Sequence, residues 1–146
     1  MARSSKPRKA YKQKACVKPL GIKDSARMEI PGYMASQVLG TEHMTEPHLY
    51  DLVAHADMVV RIAGPKSEMT GRANKILKAC SSIMARHLST GKFGVSGDDL
   101  TSIRANIGTT MEYLRSVPNT SIWRAAKAAL DEFDRGGALK VERLAA

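Results

Sequence analysis

The chain has 146 residues, and its 23 lysines and arginines against 14 aspartates and glutamates give a formal net charge of +9. This length suits one domain. No apolar run approaches the roughly 18 residues that a membrane span needs, and no hydrophobic segment follows the basic N-terminus as in a secretory signal. Two cysteines cannot form a disulfide framework, so we expect reduced thiols and a cytoplasmic protein.

Residues 1–23 form a predicted basic arm, because they contain eight basic side chains and no acidic one, while the rest of the chain is nearly balanced in charge. With few large apolar side chains, the arm cannot offset the entropy of ordering, and we expect it to be flexible in isolation. Its charge predicts a polyanion partner, and we favour nucleic acid over a protein partner or a passive tail. The predicted nucleic-acid-binding residues are Arg3, Lys6, Arg8, Lys9, Tyr11, Lys12, Lys14, Lys18 and Lys23, of which Tyr11 can stack on an unpaired base.

Residues 24–44 are predicted to be an extended or short helical segment that docks against the helical body. Pro31-Gly32 is typical of a turn, and residues 33–39 can form a short helical turn that ends at Gly40. The apolar side chains available for docking are Met28, Ile30, Tyr33, Met34, Val38 and Leu39.

Residues 45–63 carry the clearest signal of an amphipathic helix. Thr45 is a suitable N-cap, Pro47 is tolerated at the helix start, and Gly64-Pro65 ends the helix because proline cannot continue the hydrogen-bond ladder. The spacing i, i+3, i+4, i+7 predicts one apolar face, made of Leu49, Leu52, Val53, Ala56, Val59, Val60 and Ala63.

A second and a third helix are predicted from the same kinds of signal. Ser67 caps the second helix and Gly91 ends it, whereas Ser96 caps the third, with Asp99 placed to bond back to the cap. The predicted stripe of the second helix is Met69, Ala73, Ile76, Leu77, Cys80, Ile83, Met84, His87 and Leu88. That of the third helix is Leu100, Ile103, Ile107, Met111 and Leu114.

A fourth helix begins at Asn119 or Thr120, after a break at Pro118, and ends at Gly136-Gly137. No segment has the period-2 pattern of a strand, so we predict an all-α fold: a four-helix bundle of two helical hairpins, 45–90 and 97–135. The helical body then spans 45–137, and 138–146 form a C-terminal tail. The apolar face of the fourth helix is predicted to contain Ile122, Trp123, Ala126, Ala129, Leu130 and Phe133.

His48, Asp51 and His55 share one face of the first helix, and these residue types can bind a metal ion. Their spacing matches no family signature, and no fourth ligand is evident. We interpret them as a solvated helix edge with an Asp51–His55 contact, with metal binding and acid–base chemistry as less favoured alternatives. We therefore predict no metal and no cofactor.

The segment 89–94 resembles a phosphate-binding loop only in part. Arg86 stands in place of the first glycine, Phe93 in place of the Ser or Thr, and a helix precedes the segment instead of a strand. We interpret it as a helix end and a link. Cys80 is most simply a buried small hydrophobe; Cys16 lies among lysines that favour its thiolate, but no base accompanies it. We predict that the protein is not an enzyme.

Trp123 is the single tryptophan of the chain. We favour a core position for it, with an exposed interface anchor as the alternative, because tryptophan is over-represented among binding hot spots. Homo-oligomerisation is compatible with these helices, since short, alanine-rich helices bury modest area and a second copy would cover leftover apolar surface.

The basic N-terminal stretch resembles that of small basic helical proteins encoded by proteobacterial phages and prophages. The matching residues are Pro7-Arg8-Lys9-Ala10-Tyr11-Lys12-Gln13-Lys14, with Gln13 where proline is usual. The resemblance implies expression in a bacterial host cytoplasm and a small accessory or host-directed role, and it carries over no catalytic residue.

The sequence therefore predicts a non-enzymatic, nucleic-acid-binding accessory or regulatory protein with a basic arm on a helical bundle. The alternative is a phage-encoded inhibitor or adaptor that binds a bacterial host protein complex. Neither hypothesis involves a membrane.

Overall fold

The computed structural model describes residue 32 and residues 34–135, apart from the side chain of Phe133. The predicted arm, 1–23, and tail, 138–146, lie outside the described residues. Four long helices are present: α1 (Glu46–Ala63), α2 (Glu68–Thr90), α3 (Gly97–Ser116) and α4 (Asn119–Asp134). Residues 34–38 are also helical, and the described residues contain no strand. The all-α class is confirmed.

The ends of α1 follow local chemistry as predicted. Thr45 has the extended backbone of an N-cap, and its N–H donates to His48 Nδ1 over 3.0 Å. At the other end, Gly64 has a φ of +80°, which glycine adopts without steric cost. Its N–H donates to the carbonyl oxygen of Val60 over 3.1 Å, and this closes the last turn.

The predicted caps of α2 and α3 are also confirmed. Ser67 Oγ accepts from the N–H of Met69 over 3.2 Å, and Ser96 Oγ accepts from the N–H of Asp99 over 3.1 Å. Gly91 ends α2 in the left-handed conformation, φ +74°. The Asp99 carboxylate does not return to the α3 cap, as the box-like pattern predicted, but pairs with an arginine of α2 that is described below.

The core lies among α1, α2 and α3, where the predicted stripes meet. Full burial of one such aliphatic side chain contributes about 1.5–3 kcal/mol relative to exposure. Ala35, Leu39 and Met44, from the segment before α1, join the same cluster. The largest fully buried apolar side chains are Leu49, Leu52, Val59, Ile76, Ile83 and Ile103.

Packing between helices differs from the predicted pair of hairpins. α1 packs extensively on α2, and α2 packs extensively on α3. α4 follows α3 in the chain but packs mainly on α1. The second hairpin, 97–135, is therefore not a closely packed helix pair in the described part of the chain.

Candidate interaction surface

The residues predicted to bind nucleic acid all lie outside the described residues. They are Arg3, Lys6, Arg8, Lys9, Tyr11, Lys12, Lys14, Lys18 and Lys23. Cys16 lies outside the described residues as well.

The three residues of the α1 histidine face do not form a common site. His48 is used at the helix start, where its Nδ1 lies 3.0 Å from both the N–H and the Oγ1 of Thr45. His55 is buried, at 7% exposure, so the prediction of a solvated edge is wrong for this residue. Within residues 32 and 34–135, no group of three or more His, Cys, Asp or Glu side chains could hold a metal ion.

His55 connects α1 to α3 through Thr110. Its Nε2 lies 2.8 Å from Thr110 Oγ1, and both residues are buried. The hydroxyl of Thr110 donates within α3, to the carbonyl oxygens of Asn106 at 2.9 Å and Ile107 at 3.0 Å. The direction of the hydrogen bond between Thr110 Oγ1 and His55 Nε2 depends on the tautomer of the histidine, because a hydroxyl can donate and accept. The histidine is a structural link between α1 and α3.

Arg86 holds the link between α2 and α3, in the segment where the phosphate-loop pattern was only partial. Its Nη1 donates to the carbonyl oxygen of Gly94 over 2.8 Å and to Asp99 Oδ2 over 2.7 Å. Beside it, the rings of His87 and Phe93 stack, with centroids 3.9 Å apart and planes 7° from parallel. Arg86 and Phe93, which depart from the phosphate-loop pattern, thus have structural roles.

Cys80 has the position that the sequence predicted. It is fully buried in α2, and burial raises the pKa of its thiol to about 12, with a further rise from the nearby Asp99 carboxylate. A thiol that remains protonated at neutral pH is a poor nucleophile.

An ion-pair network fastens α4 to α1. Arg61 Nε donates to Asp57 Oδ2, one turn earlier in α1, over 2.7 Å, and Arg61 Nη2 donates to the Glu132 carboxylate of α4. The hydrogen bond to Asp57, and then that to Glu132, raises the pKa of the Arg61 guanidinium above its ordinary value. Next to this network, a groove of about 380 Å³ lies between the two helices, lined by Arg61, Ile62, Ser121, Arg124, Ala125 and Ala128.

The outer face of α4 is where the structure departs most from the predicted core. Ile122 and Ala125 are buried, whereas Trp123 is 72% exposed and Leu130 is 63% exposed. The core position that we favoured for Trp123 is wrong, and so is the inward orientation of Leu130. On α2, Leu88 was also predicted to face the core and is 69% exposed.

Trp123 and Leu130 are seven residues apart, so they share one helical face. Four charged residues, all exposed, complete this surface. Arg124 and Lys127 lie in its N-terminal half, where Arg124 stands at the edge that borders the groove toward α1, and Asp131 and Asp134 lie in its C-terminal half. None of the four forms an ion pair with another described residue. We call Trp123, Arg124, Lys127, Leu130, Asp131 and Asp134 the α4 outer face.

We predicted an exposed Trp123 only as the alternative and did not join it to Leu130 and the charged residues, although a signal for this face was present. The positions 123, 127, 130 and 134 have the spacing i, i+4, i+7, i+11, which gathers them on one side of a helix. Because that set mixes charged with apolar side chains, it cannot be a core stripe. Ile122, Ala125 and Ala129, on the opposite side, form the consistent apolar set.

Comparison of the chain with protein-family models, curated proteins and solved structures gave no match. The resemblance of the N-terminal stretch to phage proteins therefore stays a prediction. Each helix of the described residues falls short of the combination of length and apolarity that crossing a bilayer requires.

Proposed function

We propose that this protein is a non-enzymatic, nucleic-acid-binding accessory or regulatory protein, in which residues 1–23 contact the phosphate backbone. The observation that carries the proposal is the distribution of charge. Acidic and basic side chains nearly balance across the described helices, and three of the arginines there, Arg61, Arg72 and Arg86, are held in ion pairs. The excess positive charge belongs to the terminal segments, and above all to the arm.

The mechanism is electrostatic and does not depend on base sequence. Each lysine or arginine that neutralises a phosphate releases condensed counterions, so affinity falls steeply as salt rises. Tyr11 adds stacking on an unpaired base, which favours single-stranded over fully paired nucleic acid. In this proposal the four helices form a bundle that is closed by the contact of α1 with α4. The bundle carries the arm, and the protein acts in the bacterial cytoplasm.

The test compares two full-length variants that lose the same number of positive charges. The arm variant changes Lys6, Arg8, Lys9, Lys12 and Lys14 to Gln. The body variant changes Lys66, Lys75, Lys78, Lys92 and Arg104 to Gln, all of which are exposed. Binding to labelled duplex DNA and single-stranded RNA is followed by fluorescence anisotropy across a salt series.

The arm variant should lose most of its affinity, and the slope of log K against log salt should become shallower by up to about 4.5, because each of the five lost phosphate contacts contributes about 0.9 for duplex DNA. The body variant should retain most of its affinity and most of the slope of log K against log salt. Equal losses in the two variants would show that only overall charge matters, and the arm proposal would then be wrong.

The alternative, a phage-encoded inhibitor or adaptor directed at a bacterial host protein complex, is tested by affinity capture from a nuclease-treated bacterial lysate. A stoichiometric protein that the arm variant also retains would replace the nucleic-acid proposal with this one. Loss of all retained material on nuclease treatment would support nucleic-acid binding.

A further inference from the structure

The α4 outer face exposes two large apolar side chains, Trp123 and Leu130. Alanine is abundant on this helix, yet its largest side chain, Trp123, and Leu130 point away from α1 and are mostly exposed. Tryptophan is one of the residue types that are enriched among the anchors of protein interfaces. Isolated exposed apolar residues are common, so these two side chains do not identify an occupant by themselves.

The charges on the face provide the second observation. The dipole of a helix favours acidic residues in its first turn and basic residues in its last turn. α4 has no acidic residue in its first turn and no basic residue in its last. The outer face carries the opposite order, with Arg124 and Lys127 toward the N-terminus and Asp131 and Asp134 toward the C-terminus. This order does not stabilise an isolated helix.

The same order is self-complementary when a second copy is placed antiparallel. We propose that the α4 outer faces of two copies of this chain pair about a two-fold axis at the level of Ala128. Arg124 and Lys127 of one copy then face Asp131 and Asp134 of the second copy, and the reverse pairs form by symmetry, as an isologous interface requires. Trp123 of each copy packs beside Leu130 of the other. A parallel arrangement would instead place like charges together.

The interface is small, because a helix of 16 residues is only about 24 Å long. One helix pair buries less than a standard stable interface, so the dimer should dissociate on dilution. It would present two basic arms to one nucleic acid, and this would raise the overall avidity. The pairing itself rests on the α4 face alone and does not require that the arm binds nucleic acid.

The test uses the full-length chain and its single tryptophan as the reporter. Sedimentation equilibrium should give a reversible monomer–dimer mixture, and the fluorescence of Trp123 should shift to shorter wavelength as the protein concentration rises. The double substitution W123S/L130S should abolish dimer formation, while the circular dichroism of the helices stays unchanged because both side chains are exposed.

Charge reversal tests the antiparallel arrangement directly. R124E/K127E makes the face wholly acidic, and D131K/D134K makes it wholly basic, so each variant alone should dimerise at least about tenfold more weakly, corresponding to 1.4 kcal/mol or more. An equimolar mixture of the two should restore both the dimer and the fluorescence shift. K75E/K78E, on exposed positions of α2, is the matched control and should dimerise like the parent chain.

Three outcomes would overturn the proposal. The first is a chain that stays monomeric at every concentration, with Trp123 fluorescence unchanged. The second is a mixture of the charge-reversed variants that behaves as the sum of its parts. The third is a Trp123 shift that requires added DNA or a lysate protein, which would assign the face to a different occupant.

Discussion

His55 Nε2 of α1 is hydrogen-bonded to the Thr110 hydroxyl of α3 over 2.8 Å, inside the core and between residues 55 positions apart in the chain. Thr110 is fully buried, and its hydroxyl also satisfies the helix backbone at Asn106 and Ile107. The pair places a polar link at a junction that otherwise consists of aliphatic packing. A buried imidazole nitrogen left without its hydrogen-bond partner costs more than the hydrogen bond contributes when it is formed.

Thr110→Val should therefore destabilise the protein by about 1–3 kcal/mol, because it keeps the volume of the side chain but removes the hydrogen-bond partner of His55 Nε2. Urea denaturation followed by circular dichroism measures the change. Thr109→Val is the control, on a neighbouring position that is only partly buried, and Thr110→Ser should retain most of the stability. Equal stability of the two valine variants would contradict the role of this hydrogen bond.

The attachment of α4 through Arg61 can be measured by a double-mutant cycle. Arg61→Ala combined with Glu132→Ala should give a coupling energy of about 1–2 kcal/mol, because Arg61 is partly buried and also bonded to Asp57. The Glu68–Arg72 pair, on the exposed side of α2, is the reference and should couple by only about 0.3–0.5 kcal/mol. A coupling no larger than this reference would mean that Arg61 does not fasten α4.

The link between α2 and α3 should loosen when the Arg86–Asp99 pair is weakened. Asp99→Asn removes the charge that Arg86 Nη1 contacts at 2.7 Å, and should cost about 1–2 kcal/mol while increasing amide hydrogen exchange in residues 91–96. Asp98→Asn, one residue earlier and exposed, is the matched control. If exchange in the link rises equally in both variants, Arg86 does not act through Asp99.

Because of the buried Cys80 thiol, the free energy of unfolding should fall at alkaline pH. Its thiol has a pKa raised by burial from an ordinary value of 9.0 to about 12, so above pH 9 the unfolded chain releases a proton that the folded chain keeps. The contribution is thus present in full below pH 9 and is lost as the pH rises toward 12, with a slope of up to about 1.4 kcal/mol per pH unit.

Urea denaturation of the parent chain and of Cys80→Ala across this pH range tests the linkage. The alanine variant will be less stable at neutral pH because of the cavity it creates, but its stability should fall less steeply above pH 9. Parallel profiles for the two proteins would show that the buried thiol is not responsible.

Helix ends were predictable from the sequence because their chemistry is local. Ser67 and Ser96 cap α2 and α3 with their side chains, and Thr45 is hydrogen-bonded to His48 at the start of α1. A glycine with positive φ ends both α1 and α2, and each of these residues lies next to the helix that it limits. The core stripes of these three helices were predictable for a related reason, because most of their large aliphatic residues fall on one face. Leu88, near the end of α2, is the exception, since it matches the spacing of the stripe but is exposed.

The orientation of α4 was not predictable in this way. The alanines of α4 lie on several of its faces, so the sequence does not define one apolar side. Ile122 and the adjacent Trp123 are therefore both acceptable core residues, although they point in directions about 100° apart. Contact with α1 selects Ile122. His55 was misjudged because its partner, Thr110, lies on another helix, and Arg61 gave no sign of Glu132, 71 residues later. Such pairings depend on the tertiary arrangement and leave no local pattern.

The one-sided attachment of α4 has a consequence for local unfolding. This helix rests on α1 and receives little support from α3, so it can detach while α1, α2 and α3 keep their shared core. Opening of such a unit costs less free energy than global unfolding, and its amides then exchange through a separate, low-energy route. A second copy that binds the outer face stabilises only the attached state. Exchange protection of α4 should accordingly rise with protein concentration, while that of α2 stays constant.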